Sequence, residues 1–136
     1  MLGARNGVTI CLSLACLLCL GNKNSQTNEQ SLRILFVGDI MLDGGPGHII
    51  TNDGDPFASV ASTLSDSDIT IGNLECAITK KGKAVEKPYT FKGPALALQV
   101  LRKHFSAVSL ANNHSGDWGK LGFSGELDLL RDARLP

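Results

Sequence analysis

Three short apolar runs, each followed by polar side chains, recur along the chain. They cover residues 32–39 ("LRILFVGD"), 67–73 ("SDITIGN") and 106–112 ("SAVSLAN"). Each run is rich in aliphatic residues and is bounded by Gly, Asp, Asn or Ser, which is the pattern of a strand buried in a sheet. The hydrophobic pattern therefore predicts three buried strands.

Helical patterns separate and follow these runs. In "DPFASVASTLSD" Asp55 is a good N-cap and Pro56 suits the first helical position. Two further helices are expected over residues 94–105 and 123–133. Strands that alternate with helices predict an α/β domain with parallel strands joined by right-handed crossover helices.

The stretch "DGGPGHII", residues 43–50, lies between the first strand and the first predicted helix. Its glycines and proline predict a flexible turn. A phosphate-binding loop is the alternative, but the stretch matches no P-loop pattern.

Polar groups follow all three predicted strands. Asp39 follows the first, Asn73 and Glu75 the second, and Asn112, Asn113 and His114 the third. Because the carboxyl ends of parallel strands meet at one edge of a sheet, these side chains are expected to lie together. Each also has an ordinary explanation, as a cap, a strand end, a turn amide or a loop histidine.

Carboxylates, amide oxygens and an imidazole suit a divalent ion such as Mn, Zn or Mg. We therefore expect metal ligands among Asp39, Asn73, Glu75 and Asn113. His114 is the expected catalytic group, which would donate a proton or stabilise developing charge. Asn112 is expected to be structural, since one of two adjacent side chains must point away from the site.

A cationic stretch, "KKGKAVEKPYTFK", follows the second predicted strand. It contains Lys80, Lys81, Lys83, Lys87 and Lys92. A solvated hairpin is one interpretation, and a contact surface for an anionic polymer is the other. The whole chain has 13 basic and 13 acidic residues, and this balance argues against a general nucleic-acid binder.

The N-terminus has the pattern of an export signal. Arg5 precedes an apolar run, Val8 to Leu20, and a small residue, Gly21, ends it. The run is shorter than the about 20 residues of a membrane-spanning helix. We expect a signal peptide at 1–21, a polar linker at 22–31, a domain at 32–136, and a location in the cell envelope or outside the cell. A lipoprotein cut before Cys16 and a buried N-terminal helix are the alternatives.

The motifs "VGDIML", "IGNLE", "YTFKGP" and "VSLANNHSGDWGKLGF" together resemble the bacterial capsule synthesis (poly-γ-glutamate, CapA-like) family of the calcineurin-like metallophosphoesterase superfamily. The resemblance covers about residues 32 to 135. It implies the N-terminal half of an α/β/β/α sandwich and a role in making or processing poly-γ-glutamate. It also implies that Asp39 and Asn113 bind metal and that His114 assists catalysis.

The chain departs from that pattern at two points. Met41 stands where many metallophosphoesterases have a histidine, and the later histidine motifs of the superfamily are absent from the sequence. Three functions stay open. One is a metal-dependent hydrolase acting on a capsule polymer or phosphoester. Another is a non-catalytic assembly component beside membrane-embedded capsule synthesis proteins. The third is a truncated, inactive fragment.

Overall fold

A parallel three-stranded sheet forms the centre of residues 31–136, the part of the chain that the computed structural model describes. The strands are, in chain order, β1 (Ile34–Ile40), β2 (Ile69–Leu74) and β3 (Ala107–Ser109). They lie side by side in the order β1-β2-β3, and both pairs are parallel. The predicted α/β class with parallel strands is confirmed, although the third strand is shorter than expected. The predictions for the signal peptide and for Cys16 lie outside the described residues.

Residues 31–136 contain four α-helices in addition to the sheet. They are α1 (Gly44–Thr51), α2 (Ala61–Ser65), α3 (Ala97–His104) and α4 (Gly119–Asp132). The last two confirm the predicted helices at 94–105 and 123–133, with shifted ends. Within residues 31–136, no helix has the length and apolar character that a membrane crossing requires.

Helix α1 corrects the prediction of a flexible turn at residues 43–50. Asp43 caps the helix, since its side chain accepts a hydrogen bond from the Gly44 N–H at 2.7 Å. Ile50 is buried in the core, and a Cβ on Gly47 would lie 2.8 Å from the carbonyl oxygen of Leu42. Glycine at that position thus allows close packing. Capping and packing outweigh the low helix propensity of the glycines.

The helix predicted to start at Asp55 is only partly correct. Asp55 does cap the backbone, because its carboxylate accepts from the Phe57 N–H at 3.0 Å. The chain then forms a 3-10 turn at Ala58–Val60 before the short α2 begins. Only Leu64 of the α2 residues is buried, so this segment gains too little packing to form one regular helix.

The two faces of the sheet are unlike. On one face Leu74 packs into a core with side chains from α3 and α4, including Leu101 and Leu130. On the other face the side chains of Ile34 and Phe36 are 47% and 71% exposed. Within the described residues, the sheet therefore has one covered face and one open apolar face.

Candidate functional site

A β-bulge in β1 determines where Asp39 points. Phe36 lies beside Ile71, but Asp39 rather than Gly38 lies beside Asn73, so β1 holds one extra residue between these pairs. Side chains alternate between the faces of a strand, and an extra residue reverses that alternation. The bulge therefore places Asp39 on the same face as Asn73.

Asn73 joins the two carboxylates of the site. Its amide nitrogen donates to Asp39 Oδ1 at 2.8 Å and to Glu75 Oε1 at 2.7 Å. Asp39 is exposed, whereas the Glu75 side chain is 15% exposed. The structure thus brings together three of the four predicted ligands. The amide hydrogens of Asn73 lie between the carboxylates of Asp39 and Glu75.

Asn112 determines which way the Asn73 amide points. The Asn112 Oδ1 atom accepts hydrogen bonds from the backbone N–H groups of His114 (2.9 Å) and Ser115 (3.1 Å). Its amide nitrogen must then donate, and it does so to the carbonyl of Leu74 and to Asn73 Oδ1, each at 2.9 Å. With its oxygen engaged in this way, Asn73 presents its N–H groups to the carboxylates. Asn112 therefore has the structural role that was expected, but its side chain points toward the site and contacts Asn73, whereas it was expected to point away.

The His114 ring lies between two acidic side chains. Its Nδ1 is 3.0 Å from Asp117 Oδ2, and its Nε2 is 3.8 Å from Glu75 Oε2. The Phe91 ring packs against it, with the ring centroids 4.6 Å apart. The imidazole is therefore held in place through Nδ1, while Nε2 faces the Glu75 carboxylate.

Asp117 is fully buried. Burial raises the pKa of its carboxyl group, but hydrogen bonds from Lys87, His114 and the Phe91 N–H outweigh this effect and lower the pKa below its usual value. An ionised carboxylate only accepts hydrogen bonds, so His114 carries its hydrogen on Nδ1. Nε2, which makes no hydrogen bond to Asp117, is then the ring nitrogen that can accept a proton.

Asn113, the fourth predicted ligand, is exposed. Its backbone carbonyl accepts a hydrogen bond from Lys87 Nζ at 2.9 Å. Among the described residues, no hydrogen bond joins its side chain to Asp39, Asn73 or Glu75. Its assignment as a metal ligand stays a prediction.

The donor set fits a divalent ion only in part. Two carboxylates that share one amide nitrogen create a point of concentrated negative charge, which favours a cation. The Asn73 oxygen, however, already accepts from Asn112. In residues 31–136, no three His, Cys, Asp or Glu side chains form a group that could hold a metal. Asp39 and Glu75 are thus the side chains that suit a metal best.

The five lysines of residues 80–92 do not share one environment. Lys81 pairs with Asp128 at 3.1 Å, Lys87 forms an ion pair with Asp117, and the Lys92 ammonium lies 4.0 Å from the Trp118 ring. Lys80 and Lys83 are exposed. The segment contains no hairpin within the described structure, and its assignment as a polymer contact stays a prediction.

Sequence reasoning assigned no role to Asp117 and placed Lys87 only among the polymer contacts. A His and an Asp three residues apart were a usable signal, since that spacing lets both side chains meet within one turn. Lys87 carried no such signal because its partner lies far along the chain. Only tertiary contact reveals it.

Residues 33–136 match the model of a protein family described as bacterial capsule synthesis protein PGA_cap. A search of the curated proteins finds no match. The matched region includes the whole sheet and every residue of the site at its carboxyl edge. The chain belongs to the bacterial capsule synthesis protein family.

Proposed function

We propose that the protein acts in capsule synthesis on an anionic polymer, poly-γ-glutamate. In this proposal the protein cleaves the polymer, and His114 transfers a proton in the cleavage. The anchored His114 ring carries this proposal. A buried, ionised Asp117 holds Nδ1, and Nε2 faces Glu75 and the open carboxyl edge. An imidazole held in this way is suited to general acid-base catalysis.

The described residues can perform several steps of such a reaction. Nε2 of His114 accepts a proton from an attacking group or returns one to a leaving group, while Asp117 stabilises the resulting charge on the ring. Lys87, Pro88, Tyr89, Phe91, Asn113 and His114 line a cavity of about 330 Å³ beside the imidazole. A polymer segment or a phosphoester would bind there.

A divalent ion is part of the proposal, with Mn, Zn or Mg as the candidates. Asp39 and Glu75 would hold the ion. Asn113, which precedes His114 and is exposed, would be a further ligand. When bound, the ion would polarise the substrate and stabilise negative charge. Asn73 orients both carboxylates through its amide hydrogens.

The exposed lysines support an anionic substrate. Lys80 and Lys83 extend into solvent from the segment that also forms the cavity wall. Exposed cations attract a polyanion over a distance of about 8–10 Å at physiological ionic strength. Binding of poly-γ-glutamate should therefore weaken as salt is added.

The test is to incubate the purified protein with poly-γ-glutamate and each metal and to follow polymer length by size-exclusion chromatography. His114→Gln should slow cleavage by about 100-fold or more, because it removes the proton-transfer group. His48→Gln is the matched control, since His48 is exposed on α1. Equal rates for the wild type and His114→Gln would contradict the catalytic role. A rate unchanged by a chelator would remove the ion from the proposal.

A non-catalytic assembly component is the second candidate function. The open apolar face of the sheet favours it, because exposed apolar surface marks sites of association. Membrane-embedded capsule synthesis proteins are the class of partner it implies. Salt-sensitive binding of the polymer with no change in its length, in every metal, would favour this function over catalysis.

A further inference from the structure

Lys87 differs from the other lysines of residues 80–92 in what it contacts. Its side chain is 27% exposed, against 53% for Lys81. It forms an ion pair with Asp117 Oδ1 and donates a hydrogen bond to the Asn113 carbonyl at 2.9 Å. One ammonium group therefore contacts the chain on both sides of His114.

The two oxygens of Asp117 have different partners. Oδ1 faces Lys87, while Oδ2 accepts from the Phe91 N–H at 2.7 Å and from His114 Nδ1 at 3.0 Å. A carboxylate that is fully buried must be compensated by a cation or by hydrogen bonds. Lys87 supplies the cation, which leaves Oδ2 free to orient the imidazole.

The backbone holds the same segment in place. The Val85 N–H donates to the Asp117 carbonyl at 2.9 Å, and Trp118 Nε1 donates to the Phe91 carbonyl at 3.3 Å. Residues 85–91 thus contact the residues that follow His114. Lys87 lies within this contact, whereas Lys80 and Lys83 are exposed.

We propose that Lys87 is a positioning residue that anchors Asp117 and the Asn113 backbone, so that the His114 ring keeps one orientation with its hydrogen on Nδ1. The inference rests on the proposed role of His114. It removes Lys87 from the group of polymer contacts. An ammonium already bonded to a buried carboxylate and a carbonyl has little capacity left for a mobile polyanion.

The test measures the ring nitrogens of His114 by NMR in the full chain, at one alkaline pH that is kept the same for every variant. The chain has 3 histidines. The ring signal that is missing from the spectrum of His114→Gln is the signal of His114. The wild type should show hydrogen on Nδ1 alone. Lys87→Met should shift the signals toward a mixture in which Nε2 carries hydrogen.

Two variants make the result specific. Lys81→Met is the matched control, because Lys81 pairs with the exposed Asp128, and it should leave the His114 signals unchanged. Lys87→Arg should restore the wild-type pattern by returning a cation to Asp117. A folded Lys87→Met protein with hydrogen on Nδ1 alone would overturn the proposal. If Lys87→Met does not fold, a mixed pattern in Lys87→Arg would overturn it.

The polymer gives an independent measurement. Lys87 contributes its side chain to the cavity wall, but its ammonium is bonded to Asp117 and to the Asn113 carbonyl. Lys87→Met should therefore reduce the affinity for poly-γ-glutamate less than replacing both Lys80 and Lys83 by Gln does. A larger loss in Lys87→Met than in that double variant would also overturn the proposal. If the wild type neither binds nor cleaves the polymer, the proposed function fails, while the NMR result still decides the role of Lys87.

Discussion

At the scale of single residues, two buried carboxylates show how environment determines charge. Asp117 and Glu126 are both fully buried. Asp117 has Lys87, His114 and the Phe91 N–H as partners, and its pKa is lowered. Glu126 accepts only the Ile78 N–H, at 2.8 Å, and its Oε2 atom has no partner among the described residues. Burial therefore dominates and raises the pKa of Glu126 to about 7.

The raised pKa of Glu126 predicts a pH-dependent stability. The unfolded chain loses this proton near pH 4.5 and the folded chain near pH 7, so the folded state binds more protons between these values. The free energy of unfolding should fall as the pH rises through this window, by about 3 kcal/mol at 1.36 kcal/mol per pKa unit. Above about pH 7 the loss should be complete.

Glu126→Gln should remove most of this loss, because glutamine carries no proton to lose and keeps an acceptor for the Ile78 N–H. Urea unfolding at a series of pH values measures it. The stability of Glu126→Gln relative to the wild type should rise between pH 4.5 and 7. Glu86→Gln, at an exposed loop position, is the control. Parallel curves for Glu126→Gln and the wild type would show that Glu126 ionises normally.

At the scale of elements, α1 depends on a single capping residue. Asp43 Oδ1 accepts from the Gly44 N–H at 2.7 Å, and Oδ2 accepts from the Lys92 N–H at 3.0 Å. The same carboxylate therefore caps the glycine-rich helix α1 and binds the backbone at Lys92, the last residue of the segment 80–92. Because glycine and proline weaken α1 on their own, these two bonds matter more than in an average helix.

Asp43→Ala should lower the free energy of unfolding by about 1–3 kcal/mol, since it removes a cap and leaves the half-buried Lys92 N–H without its acceptor. Asp132→Ala is the matched control, because Asp132 is exposed at the end of α4. Chemical denaturation of both variants measures the difference. If Asp43→Ala loses no more stability than Asp132→Ala, the cap contributes little.

At the scale of the whole described unit, the sheet has an unequal distribution of apolar surface. Ile34, Phe36, Ile69 and Ile71 share the face opposite the core, and the polar groups Asp39 and Asn73 end that same face at the carboxyl edge. The candidate site therefore lies at the border of an open apolar surface. A contiguous surface of this kind is typical of a region that contacts another molecule or domain.

Phe36→Glu should leave stability within about 1 kcal/mol of the wild type, because the side chain is already 71% exposed. It should reduce the fluorescence of a bound apolar dye. Tyr89→Glu is the matched control, since Tyr89 is 72% exposed and lies in the loop beside His114, outside the strands that form this face. An equal loss of dye signal in the two variants would show that the face is not the dye-binding surface.

The sequence alone determined the class of fold and the edge at which the polar groups gather. The hydrophobic pattern along the chain, the lengths of the strands and the order of the elements depend on local chemistry. The three strands, α3 and α4 could therefore be predicted from the sequence. The convergence of Asp39, Asn73 and Glu75 followed from parallel topology. Helix α1 could not be predicted, because its glycines and proline oppose a helix locally and its stability comes from the Asp43 cap and packing.

Only the tertiary structure decided how the site residues face one another. The bulge that turns Asp39 toward Asn73 is a property of strand pairing, which a single strand does not specify. The Asn112 contacts that orient Asn73, and the ion pair of Lys87 with Asp117, join residues distant along the chain. Sequence reasoning identified the residue types that can do the chemistry. The sequence does not show that the Asn73 oxygen accepts a hydrogen bond from Asn112, or that Lys87 pairs with Asp117. These contacts depend on distances and burial that exist only after the chain has packed.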